Sequence, residues 1–96
     1  MNPNIDYLRD KANRLSLSPG VYLMKDKTGK IIYVGKAKAL KNRVTSYFRH
    51  DSNHNAKTLK LIDNIADFDF IVCPSELDAL VLECSLIKLH KPKYNI

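Results

Sequence analysis

No stretch of these 96 residues is long and apolar enough to span a membrane, a crossing that takes roughly 20 such residues. The polar N-terminus does not read as a signal peptide, so the expectation is a soluble, cytoplasmic protein. Cysteine is scarce: Cys73 and Cys84 stand inside a strand-like and a helix-like run. That excludes a disulfide framework and predicts buried free thiols. Repeats, low-complexity tracts and linkers are absent as well. A single domain over residues 1–96 follows, with a hydrophobic fraction of 45% for its core. Acidic side chains are in deficit, ten against 16 Lys and Arg, for a net charge of +6. This balance suits a polyanionic partner, and Lys36, Lys38, Lys41, Arg43 and Arg49 gather in one stretch.

That stretch organises the chain. Gly20-Val21-Tyr22 is followed after ten residues by Tyr33-Val34-Gly35, and after seven more by Arg43. Two short apolar runs flank Asp26-Lys27-Thr28-Gly29, the pattern of a β-hairpin closed by a Gly-containing turn. Strands are predicted over Gly20 to Lys25 and Lys30 to Val34, with Gly35 allowing a sharp exit and close approach of a ligand. A helix over about Lys38 to Arg49 buries Leu40, Val44, Tyr47 and Phe48 and sets Arg43 beside Tyr47. Two phenols on neighbouring strands and a guanidinium can then converge on a phosphate.

Around this centre the patterning is plain. Ile5, Leu8, Ala12 and Leu15 have helical spacing in a short N-terminal extension over residues 1–17, with Asn4 as the cap. Asp51 to Asn55 reads as an exposed polar loop. A helix from Ala56 to Ile65 is expected to bury Thr58, Leu61, Ile62 and Ile65. Phe68 to Cys73 reads as a strand. Ser75, with Asp78 three residues on, caps a helix over Glu76 to His90 that is apolar nearly all round, a pattern that belongs in the centre of a domain. After Pro92, residues Tyr94 to Ile96 are expected to run extended along the surface. The fold class is α/β of the α+β type: a three-stranded antiparallel sheet, the hairpin plus Phe68 to Cys73, flanked by helices.

Glu83 stands out within that apolar helix, projecting between Ala79 and Ile87. A buried carboxylate there needs a cation, an arginine or a proton to offset a penalty of several kcal/mol. A phenol titrates near pH 10, so Tyr22 or Tyr33 can serve as a base only if the phenolate is stabilised; Lys36, three residues past Tyr33, is one candidate. His50 and His54 have ligand-like spacing but no third partner.

Gly20-Val21-Tyr22 and Tyr33-Val34-Gly35 resemble the paired motifs of the GIY-YIG nucleases, with valine for isoleucine in both. Pro19 before the first motif, Lys36-Ala37-Lys38 after the second and Lys91-Pro92-Lys93-Tyr94-Asn95 are most similar to one branch, the N-terminal nuclease domains of the bacterial excision-repair subunit UvrC. The resemblance covers about residues 17 to 96. It implies metal-dependent hydrolysis of a DNA phosphodiester, on the 3′ side of a lesion, within a longer protein guided by a UvrB-type damage-recognition partner. It also implies roles: Tyr33 activates water with help from Tyr22, Arg43 braces the phosphate, and Glu83 holds Mg²⁺, for which Mn²⁺ should substitute. Gly35, Lys36, Tyr47 and Asn95 would support the site, while Lys36, Lys38, Lys41, Arg43 and Arg49 would contact DNA. The isolated domain is expected to be monomeric. Two rivals are a free-standing GIY-YIG endonuclease and an inactive basic nucleic-acid-binding module on the same fold. The first would need an added DNA-reading region; the second has no use for Glu83.

Overall fold

The computed structural model describes residues 2–50 and 53–95. In chain order these form α1 (Ile5–Asn13), β1 (Gly20–Lys25), β2 (Ile31–Ala37), α2 (Leu40–Phe48), α3 (Ala56–Asn64), β3 (Asp67–Val72), α4 (Glu76–His90) and a 3-10 turn at Lys93–Asn95. The strands make one antiparallel sheet in the order β2-β1-β3. The expected fold class is therefore the observed one. The hairpin turn closes as its residues demand. Gly29 takes a φ of 85°, and the Asp26 carboxylate accepts from the Thr28 and Lys30 amides at 2.9 and 3.1 Å.

β1 is covered on both faces, and period-2 alternation sorts its side chains into two cores. Tyr22 and Met24 face α1, α2 and α3, joining Leu8, Val44, Phe48, Ile62 and Phe68. Val21 and Leu23 face α4, joining Val34, Cys73 and Ala79. Leu8 and Ala12 of α1 are wholly buried, so the N-terminal helix packs its apolar stripe into the core. Each large side chain so buried contributes roughly 1.5–3 kcal/mol.

Several expectations need correction. Asn4 stands at the cap of α1 but makes no capping bond. The buried Asn2 does the fastening instead: its amide donates to the carbonyls of Ile62 and Ile65 at 2.6 and 2.7 Å, and its oxygen accepts from the Asn4 amide. Thr58 is only half-buried on α3. β2 does not end at Gly35 but runs on to Ala37, and α2 starts only at Leu40.

The largest difference concerns α4. Its Ser75 cap forms as expected, accepting from the Asp78 amide at 3.2 Å. Yet among its described residues only Ala79 is buried, while Leu77, Val81 and Leu89 are 69%, 60% and 73% exposed. A helix lying on a three-stranded sheet can hide one face, and here that face meets β1 and β2. Cys84 is exposed as well, whereas Cys73 is buried; both are free thiols. The C-terminal turn is not an extended surface strand: Tyr94 and Pro92 are buried. Ile96, Asp51 and Ser52 lie outside the described residues. No described helix is long and apolar enough to cross a membrane.

Candidate active site

Tyr22 rises from the middle of β1 onto the face covered by α2, and Gly35 of β2 lies directly beneath its ring. A Cβ at position 35 would come within 2.3 Å of that ring. Glycine is required there by the ring's close approach, not by a sharp exit of the chain. The Tyr22 hydroxyl lies 2.7 Å from that of Tyr47, and Arg43 Nε donates to the Tyr22 oxygen at 3.3 Å. The Arg43 guanidinium also sits 5.2 Å from the centre of the Tyr47 ring, within reach of a cation–π attraction. Tyr33, on the same face of β2, brings its ring to 6.2 Å from that of Tyr22. The convergence expected of Tyr22, Tyr33, Arg43 and Tyr47 is present.

Burial, with Tyr47 second, pushes the Tyr22 phenol far above its ordinary value. Its hydroxyl is therefore held neutral, between the Tyr47 hydroxyl and Arg43 Nε. Burial likewise raises Tyr33, to about 12; the Tyr47 hydroxyl and the Glu83 carboxylate push the same way, and Arg43 opposes them. Lys36 does not relieve this. It pairs with Val21 while Gly35 pairs with Tyr22, so by strand alternation it projects from the opposite face to Tyr33.

Glu83 is half-buried on α4, one helical turn from Ala79 and close enough to raise Tyr33. Among the described residues it has no ion pair and no hydrogen bond, so neither Arg43 nor a lysine compensates it. A lone carboxylate beside a phenol fits a hard cation that keeps several of its waters, as Mg²⁺ does. No described group of three or more His, Cys, Asp or Glu forms a ligand cage, and His50 and His54 belong to none.

Asn95 closes the site from below. Its side-chain oxygen accepts from the Val34 amide at 2.8 Å and its amide donates to the Val34 carbonyl at 2.9 Å. It thus caps the free edge of β2 next to Tyr33, so it positions the strand and is not simply solvated.

The basic residues are less gathered than their spacing suggests. Lys36 and Lys38 line a cavity of about 430 Å³ together with Arg43. Arg49 lines a different one, of about 210 Å³, with Arg9 and Asn2, and Lys41 lines neither. His54, which the sequence offered only as a ligand-spaced neighbour of His50, lies against Tyr47 of the site. It is half-buried, stacked 6.2 Å from the Tyr47 ring at 12°. The available signal was Asn55, whose side chain accepts from the Thr58 amide at 2.8 Å and caps α3; a capped helix start pins the residue before it.

Comparisons with known proteins bear on this arrangement. The family described as the UvrC-like GIY-YIG domain matches residues 18–96. UvrABC system protein C of Desulfitobacterium hafniense is 60% identical over 93 residues, 97% of this chain and 15% of that protein. Its counterpart in Clostridium acetobutylicum is 58% identical over 78 residues, 81% of this chain and 12% of the relative. The chain thus spans only a small part of the length of these relatives. Among solved structures, the magnesium-bound GIY-YIG N-terminal endonuclease domain of UvrC from Thermotoga maritima superposes with a TM-score of 0.83. It is 38% identical, with both chains covered in full. With its paired motifs, its three-stranded sheet and the residues gathered at the edge of β2, this chain belongs to the UvrC-like GIY-YIG domain family.

Proposed function

We propose that this chain is a metal-dependent nuclease domain that hydrolyses a DNA phosphodiester, making the incision on the 3′ side of a lesion in excision repair. The observation that carries this reading is the juxtaposition of a preassembled Arg43–Tyr22–Tyr47 cluster with an uncompensated carboxylate, Glu83, both acting on Tyr33. The T. maritima domain's magnesium and the UvrC relatives support it.

In this proposal Arg43 binds the reacting phosphate and neutralises the charge that builds on it. Its Nε is committed to Tyr22, which leaves the terminal nitrogens to face the substrate. The Tyr33 oxygen orients the attacking water and, in its ionised phenolate form, takes that water's proton, while solvent returns a proton to the leaving oxygen. Tyr22 and Tyr47 keep Arg43 and Tyr33 in register, and Asn95 fixes the strand that carries Tyr33. Glu83 holds Mg²⁺ or Mn²⁺. Such a cation, when bound, supplies Lewis-acid stabilisation of the leaving oxygen. Burial chiefly keeps the Tyr33 phenol protonated, and the Glu83 carboxylate adds the smallest push in that direction. Lesion choice would come from a UvrB-type partner and from the rest of a longer protein.

The experiment is a strand-resolved cleavage assay on a lesion-bearing duplex, with the domain in a full-length UvrC and its partners supplied. Cation-dependent incision on the 3′ side, lost in Glu83→Gln, supports the reading. Normal 3′ incision by that variant overturns the metal assignment, and no 3′ incision by the unmodified protein overturns the function.

A further inference from the structure

The sheet has two outer edges, and side chains close part of each. On β2, Asn95 bonds both backbone groups of Val34. On the β3 side, the Cys73 amide donates to the Pro19 carbonyl at 2.9 Å. Antiparallel alternation then turns the amides and carbonyls of Ile71 and Asp69 towards β1, and those of Val72, Phe70 and Phe68 outward. Lys11 Nζ bears this out at one position, donating to the Phe68 carbonyl at 2.6 Å. The outward amides and carbonyls of Phe70 and Val72 have no partner among the described residues.

Composition divides β3 in the same way. Its first half carries Asp67 and Asp69, paired with Lys11 and Lys25 at 2.8 and 2.9 Å, and charge of that kind keeps an edge strand from recruiting another. Its second half, Phe70-Ile71-Val72, carries no charge, and proline follows only at Pro74. These three side chains are 43%, 42% and 52% exposed, although their residue types suit a packed sheet. Phe70 and Val72 stand on the face of Tyr22, and Ile71 on the face of α4, a helix that lies over β1 and β2.

We propose that the Phe70–Val72 edge accepts a fourth strand, an extended segment supplied by the rest of the chain in full-length UvrC proteins. Such a strand would bond the open backbone groups and set alternate apolar side chains beside Phe70 and Val72 on one face and Ile71 on the other. Length argues for that source. This chain covers only 15% and 12% of the D. hafniense and C. acetobutylicum relatives, so most of such a protein lies outside this domain. A tethered segment is presented at up to about millimolar effective concentration, so a short edge suffices to hold it. A second copy is disfavoured, since a stable dimer buries roughly 1,200–2,000 Å² and each copy carries a charge of +6. Tyr33, Arg43 and Glu83 take no part, so the added strand and the cleavage chemistry stand or fall separately.

The test is amide hydrogen exchange resolved to single residues, on the 96-residue chain and on the same domain within a full-length UvrC. In the 96-residue chain Phe70 and Val72 should exchange fast, with Ile71 between them protected by β1. In the full-length protein Phe70 and Val72 should slow by about 10- to 100-fold. Val72→Pro removes one outward amide and no bond to β1, so it should return Phe70 to fast exchange there. Val72→Lys, which keeps the backbone and adds an edge charge, should do the same and remains informative if the proline variant folds poorly. Equal rates at Phe70 and Val72 in both proteins, or slowing that survives both substitutions, overturn the added strand. Protection that grows with concentration in the 96-residue chain would make the occupant a second copy. Protection that needs an added UvrB-type protein would make it that partner, and either result overturns the intramolecular strand.

Discussion

The two helices that carry the site's charges arrive prepared in opposite ways. On α2, Arg43 is held from two sides, by the Tyr22 oxygen at 3.3 Å and by the Tyr47 ring. On α4, Glu83 is held by nothing among the described residues. A preassembled cation needs no reorganisation when charge builds on a substrate, whereas an uncompensated carboxylate is a binding site still short of its ion. Function and folding are therefore separable on α4 and entangled on α2.

The sharpest way to break this contrast is Glu83→Gln. It should remove cation-supported cleavage by about three orders of magnitude or more while leaving thermal stability unchanged, since no partner is lost. Paramagnetic Mn²⁺ binding followed by EPR should vanish with it. A marked drop in melting temperature would mean that Glu83 has a structural partner after all.

Next in size, Tyr33→Phe should lower incision about 10²- to 10⁴-fold with DNA binding preserved. Because Tyr33 lies at about 12 in the cation-free chain, the rate of the unmodified protein should climb with pH well past neutrality. A flat profile from pH 7 to 9 would remove Tyr33 as the base.

Arg43→Ala tests the other side of the comparison. Turnover at saturating DNA should fall about 100-fold, roughly 3 kcal/mol, and unlike Glu83→Gln the variant should also lose some stability, because Tyr22 and Tyr47 lose their partner. An effect on affinity alone would make Arg43 an ordinary phosphate contact.

Smaller again is Tyr47→Phe, which leaves the buried Tyr22 hydroxyl without its 2.7 Å partner. A destabilisation of about 1–3 kcal/mol is expected from denaturant unfolding, and none at all would mean that water replaces the bond.

The smallest effect is electrostatic. In cation-free protein Glu83→Gln should bring the Tyr33 titration down from about 12, because the carboxylate raises it. The raised phenol also makes stability pH-dependent. It favours the folded state fully below the ordinary tyrosine value near 10, and that contribution is lost as pH climbs from about 10 towards 12. Phenolate absorbance during alkaline titration checks both.

What the sequence determined was set by neighbours in the chain. The Asp26–Gly29 turn, the buried stripe of α2, the Arg43–Tyr47 adjacency and the Ser75 cap all depend on turn chemistry and helical period, so local pattern sufficed. The paired tyrosine motifs carried the family for the same reason. Tertiary structure decided what depends on distant partners. Gly35 is needed because a ring from another strand lies on it, and Asn95 matters because it reaches an edge strand 61 residues away. Lys36 was a candidate to stabilise the Tyr33 phenolate, but β2 runs on through it and alternation turns it to the other face, because a strand's end is set by pairing, not by composition. For α4, apolarity all round predicted burial, but how much of a helix is covered depends on how much protein there is to cover it. In these residues only one face of α4 has a sheet to lie on, and Glu83 sits on that side with its charge uncompensated.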